Sequence, residues 1–109
     1  MDTRTADRTP ASERAVSLAR MLCHPTRLRV LQLVINSSEA IGPKGLSAQM
    51  QEPLTKVSYH VRVLAEHGVL ELARTAQVRG STQHFYVASP TVVELPVVQE
   101  ILAATTADR

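Results

Sequence analysis

Thr55, Lys56, Ser58, Tyr59 and Arg62 gather cations, hydroxyls and a phenol into one short stretch of the chain. This is chemistry suited to a duplex nucleic acid. An ammonium or guanidinium neutralises phosphate, a guanidinium also donates in pairs to guanine, hydroxyls donate to phosphate oxygens, and a tyrosine offers both a hydroxyl and an apolar ring to a base edge. His60, in the same stretch, is open to two readings, a phosphate contact or a bridge from its helix to a backbone carbonyl. Further along, Arg79 precedes Gly80, which sets a guanidinium on an adaptable tip able to follow a sugar-phosphate edge or enter a minor groove. Cys23 and His24 are adjacent. A zinc site needs three or four ligands, so this pair reads as packing at a helix junction rather than as a metal site.

These side chains need elements to hold them. Thr9-Pro10 suits a helix start, and Val16, Leu18, Ala19 and Leu22 give the first helix an apolar stripe that ends at His24-Pro25. Leu28, Leu31, Val34 and Ile35 mark a second helix after Pro25, with Arg27 and Arg29 on its solvated face. Gly42-Pro43 restarts the chain into a short third helix to about Gln51, which buries Leu46 and Met50. Glu52-Pro53 breaks it, and Val57, Val61 and Leu64 then recur at i, i+4, i+7 up to a stop at Gly68. Those three positions fix the inner face of a helix over 54–67 and leave the cationic and hydroxylic set on its outer and flanking faces.

Residues 69–75 and 82–88 are rich in strand formers and flank Gln77-Val78-Arg79-Gly80-Ser81, which reads as a β-hairpin with a flexible tip. On its second strand Tyr86 shares a face with His84 and Ala88, for a core or hinge role, while Phe85 and Val87 face the other way. Pro96 excludes an unbroken helix from residue 91, so the last helix falls near 95–104 with Val97, Val98, Ile101 and Leu102 as its apolar stripe. Residues 1–9 are polar and without period, and read as a flexible tail before a single domain over 10–105.

The chain has 109 residues, enough for one modest core. Its apolar runs fall far short of the ~20 residues of a membrane span, and the N-terminal stretch lacks the apolar segment of a secretory signal. One cysteine cannot form an internal disulfide, which fits a reducing compartment, and a cytoplasmic location is expected. The net charge is only +2, so charge placement rather than charge total must argue for nucleic acid. With no Trp, one Phe and two Tyr, the chain is too poor in aromatics for a base-stacking platform, which favours duplex over single strands. There is no nucleophile elbow, Gly-rich phosphate loop, metal-ligand cluster or paired carboxylate pattern, so no enzyme and no cofactor are expected.

Two short helices across a tight break, followed by a β-hairpin, make a winged helix-turn-helix, a mainly α fold of the α+β class with a two-stranded wing. His24-Pro-Thr-Arg-Leu-Arg-Val-Leu, Val57-Ser-Tyr-His-Val-Arg-Val-Leu-Ala-Glu-His-Gly-Val-Leu and Arg79-Gly-Ser-Thr-Gln-His-Phe-Tyr together resemble the ArsR-type winged-helix regulators over about residues 14–104. The resemblance implies a recognition helix over 54–67, a wing over 69–88, pairing of two subunits through the first and last helices, and operator binding, commonly repression. The family's metal sensors carry paired cysteines in the helix before the recognition helix, or Asp and His sets on the last helix. Here those segments read Gly45-Leu-Ser-Ala-Gln-Met and Val97-Val-Gln-Glu-Ile-Leu-Ala, so no metal is expected.

The expected partners are therefore double-stranded DNA and a second copy of the chain. Thr55, Lys56, Ser58, Tyr59, His60, Arg62 and Arg79 are the DNA-facing set, and Val16, Val97, Val98, Ile101 and Leu102 the dimer seam, since so small a domain gains stability from a twin. A small organic effector lodged in that seam is compatible with the sequence but has no residues to mark it. The competing reading is a winged helix that binds only protein. It predicts an apolar outer face on 54–67, which the sequence does not supply.

Overall fold

The computed structural model describes residues 10–107; the tail expected over 1–9 lies outside them. In chain order they form α1 (Pro10–Leu22), α2 (Pro25–Asn36), α3 (Pro43–Met50), α4 (Leu54–Glu66), β1 (Leu70–Val78), β2 (Ser81–Ala88), α5 (Pro90–Val93) and α6 (Pro96–Ala107). Proline explains most of the starts. It sits in the first turn of α2, α3 and α5, where its missing N–H costs no hydrogen bond. Pro96 likewise begins α6 instead of kinking a longer helix, and Ser89 caps the short α5 by accepting from the Val92 N–H.

One core unites the helices. Leu18, Met21 and Leu22 of α1, Leu28, Val30, Leu31 and Val34 of α2, Leu46 of α3, and Val57, Val61 and Leu64 of α4 are buried together. Val69, Leu70, Val92 and Val98 close it. Met50, expected inside, is only partly buried against this cluster. α4 lies against α2, α3 and β1, while α1 lies against α2 and α6. α4 is thus central to the packing, and the first and last helices are neighbours at the periphery.

The break between α3 and α4 is built by the backbone. Gln51 takes a left-handed conformation, φ 56°, and the Glu52 N–H donates to the Ser47 carbonyl. The Ser47 hydroxyl donates to the Glu52 carbonyl at 2.5 Å, which fastens both sides of the turn.

β1 and β2 pair antiparallel, and their turn is tighter than the flexible five-residue tip expected. The strands run up to Val78 and Ser81, leaving Arg79 and Gly80 as the turn with φ 52° and 82°. Two successive positive φ values are those of a type I′ turn, which matches the strand twist. The register slips once, between Leu72 opposite Tyr86 and Arg74 opposite Phe85, so Ala73 is an extra residue on β1. A bulge of one residue moves everything beyond it to the opposite face. Arg74 thereby joins Phe85, its guanidinium carbon 4.0 Å from the ring centroid. Ile41 pairs with Tyr86 through both backbone hydrogen bonds, 3.0 and 2.9 Å, and ties the approach to α3 onto the base of the wing.

Candidate nucleic-acid interface

α4 is held from one side. Val57, Val61 and Leu64 are immersed in the core, and Thr55, Lys56, Tyr59 and Arg62 emerge on the opposite side, as a 3.6-residue period requires. Thr55, Lys56, Tyr59 and Arg62 are exposed and Ser58 is half-buried. Tyr59 keeps 49% of its surface in solvent, with the Arg62 guanidinium 5.9 Å from its ring centroid, at the edge of cation–π range. Lys56 is not idle in the free protein, because its Nζ lies 3.1 Å from Glu52 Oε1. Both partners are well exposed, so the pair is weak and exchangeable for phosphate.

Beside this face runs a groove of about 760 Å³ floored by Ser58, Val61 and Arg62 of α4. Gly42, Pro43 and Lys44 at the start of α3 and residues 81–86 of β2 form its walls. The walls meet closely: a Cβ on Gly42 would stand 2.6 Å from the His84 carbonyl oxygen, so only glycine permits this approach. Lys44, Thr82 and His84 thus flank the outer face of α4, and none of them was singled out for this from sequence. Lys44 follows the Gly-Pro helix start, a position whose place beside α4 depends on tertiary packing. His84 was grouped with Tyr86 and Ala88, which pack on the core, but His84 itself is exposed on the groove. Arg79 is exposed at the tip of the wing.

Two expected positions require correction. His60 is buried, with 5% of its surface exposed, so it cannot meet a phosphate. It falls between the core positions 57, 61 and 64 of the helix period, and its ring is roofed by His24 at 4.5 Å between centroids. Its partner is neither phosphate nor carbonyl but Arg27, whose Nε donates to His60 Nδ1 at 3.3 Å. Arg27, read as a solvated charge, also donates through Nη1 to the Met21 carbonyl at 2.8 Å. Burial first, and then the positive charges of His24, Arg27 and Lys56, lower the His60 pKa from the ordinary 6.5.

The second correction concerns Val98. It is fully buried in the core of its own chain rather than available to a partner, because Pro96 sets α6 against α1 with this residue inward. Val97, Ile101 and Leu102 pack at the margin of the core and stay partly accessible, and Val16 on α1 is 52% exposed. Among the described residues no cluster of His, Cys, Asp and Glu could hold a metal ion, and no helix is long and apolar enough to cross a membrane.

Residues 22–73, from the end of α1 into β1, match the helix-turn-helix domain family. An uncharacterized HTH-type transcriptional regulator of Mycobacterium tuberculosis is 29% identical over 89 residues, which span 81% of this chain and 74% of that protein. The transcriptional repressor BigR of Xylella fastidiosa superposes with a TM-score of 0.60 at 26% identity, over 89% of this chain and 85% of that one. In sequence and fold the chain thus resembles winged helix-turn-helix transcription regulators. A homodimeric winged helix-turn-helix DNA-binding domain from Mycobacterium bovis, described as a possible ArsR-family regulator, shares its fold at a TM-score of 0.62 and 19% identity, over 94% and 86% of the two chains. The expected α+β winged-helix architecture is therefore met.

Proposed function

We propose that this DNA-binding transcription regulator reads the major groove with the outer face of α4 and follows the adjacent backbone with its wing, as a homodimeric repressor. The carrying observation is that α4 presents Thr55, Lys56, Tyr59 and Arg62 to solvent while its inner face is fixed in the core. A helix that carried this set on a loose underside could not hold register on a base sequence. Lys56 and Arg79 are assigned to phosphate and Tyr59, oriented by Arg62, to base edges. Ser58, Lys44 and His84 along the groove supply further donors toward the strand that lies between α4 and the wing.

Dimerisation is assigned to α1 and α6, where Val16 is exposed and Val97, Ile101 and Leu102 are incompletely covered. Twofold pairing suits a palindromic operator with half-sites about one helical turn apart. The M. bovis relative of this fold is homodimeric and the X. fastidiosa relative is a repressor, which supports both parts of the reading. In this reading the chain acts in the cytoplasm by occupying DNA and catalyses nothing.

The test is a salt titration on a duplex enriched from a random pool. Lys56→Ala and Arg79→Ala should each weaken binding across sequences and reduce the slope of log K against log salt by about one phosphate contact. Tyr59→Ala should change which sequence is enriched. Unchanged affinity and slope for both charge variants would show that DNA docks elsewhere.

A further inference from the structure

The reading above leaves unexplained why a histidine is sealed beneath the recognition helix against an arginine. Arg27 reaches from α2 across the α1–α2 junction in two directions. One N–H takes the Met21 carbonyl in the last turn of α1, a group that the helix itself cannot satisfy, and the other takes His60 Nδ1 on α4. Arg27 thus joins three helices through one guanidinium. The geometry also defines the state of the imidazole. Arginine has only donors, so Nδ1 must present its lone pair and the proton of neutral His60 must sit on Nε2. Protonation would remove that lone pair and set two cations 3.3 Å apart.

No neighbouring charge would compensate. The ionisable groups acting on His60 are His24 at the α1–α2 junction, Arg27 on α2 and Lys56 on α4, all positive when charged. Tyr59, on the outer face, meets the His60 ring edge-on at 5.2 Å between centroids. A disturbance at His60 therefore passes directly to a residue assigned to base contact.

We propose that His60 and Arg27 are a positioning pair that holds α4 in its DNA-reading pose only while the His60 imidazole is neutral, which makes operator binding sensitive to acid. The inference rests on the DNA reading of α4. Its sign is distinctive. An exposed histidine beside phosphate tightens DNA binding as pH falls, because protonation adds positive charge. His60 acts oppositely, since the intact pair is fully present above the ordinary histidine range and is lost as pH falls through the lowered value that burial and the surrounding cations impose.

The experiment compares the wild-type chain with His60→Asn, whose amide oxygen sits near the position of Nδ1 and accepts from Arg27 without titrating. On the enriched duplex, lowering pH from about 7.5 until the His60 ring resonances report protonation should weaken wild-type binding by about threefold or more, while His60→Asn stays level or tightens over the same range. Parallel pH profiles for the two proteins overturn the proposal. A second measurement needs no DNA and no variant: the imidazole resonances of the free wild-type protein. His60 should stay neutral to below about pH 6.5 and, as it protonates, shift the amides of α4 and the Arg27 side chain together. A His60 that titrates at or above that value, or alone, overturns the pair. If neither protein binds duplex at about pH 7.5, the DNA reading of α4 has failed, and the resonances alone decide the pair.

Discussion

α4 and the wing line one groove, yet they are held by opposite means. α4 is gripped along its length by the core and by the Arg27–His60 contact. The wing beyond Tyr86 rests on its own ladder, on Gln77 donating to Thr82 at 2.8 Å, and on Arg74 over Phe85. The helix obtains its position from buried surface and so cannot be altered beneath without loss of fold. The wing obtains its shape from turn geometry and register, and most of its side chains are exposed. Sequence changes are therefore felt as stability in one region and as contact chemistry in the other.

The comparison is sharpest at full burial. Leu64→Ala, at a site with no exposed surface, should cost about 2–5 kcal/mol in urea unfolding, whereas Val78→Ala on the wing, 41% exposed, should stay within about 0.5 kcal/mol. Similar losses at both sites would break the distinction. Next comes the seam between the regions. Gly42→Ala drives a methyl against the His84 carbonyl at 2.6 Å, a backbone atom that cannot swing away, so a loss of about 1–3 kcal/mol is expected. Thermal unfolding would check it, and a neutral result would mean that α3 and the wing are not clamped. The smallest effect belongs to the tip. Gly80 has open space around it but a φ of +82°, so Gly80→Ala should cost about 1 kcal/mol through backbone strain alone.

Much of this architecture was legible in the sequence because local rules agree with the packing. Proline starts located α2, α3 and α6, and the 57, 61, 64 period gave α4 its inner and outer faces. What escaped was non-local. Arg27 and His60 are 33 residues apart, and nothing at either position reveals the other. Val98 and Ile101 look alike in a helical stripe, yet one is enclosed by its own chain and the other lies at the margin. The role of Lys44 depends on the Ile41–Tyr86 pairing that brings α3 to the wing. The tight turn at Arg79 and Gly80 could have been found, since two residues between strands with glycine second is a strong hairpin signal.

The extra residue at Ala73 gives the wing a rule of parity. Between the base that Tyr86 anchors and the Arg79–Gly80 turn, β1 carries an odd surplus over β2, and that surplus alone decides which side of the ribbon receives Arg74. Lengthening the hairpin by one residue on each strand preserves every cross-strand partnership below the insertion. Removing Ala73 alone would close the bulge into a regular ladder and leave Arg74 opposite Phe85. Within this fold, then, the wing tolerates growth in matched pairs, and the one codon it can lose without changing partners is that of its unmatched residue.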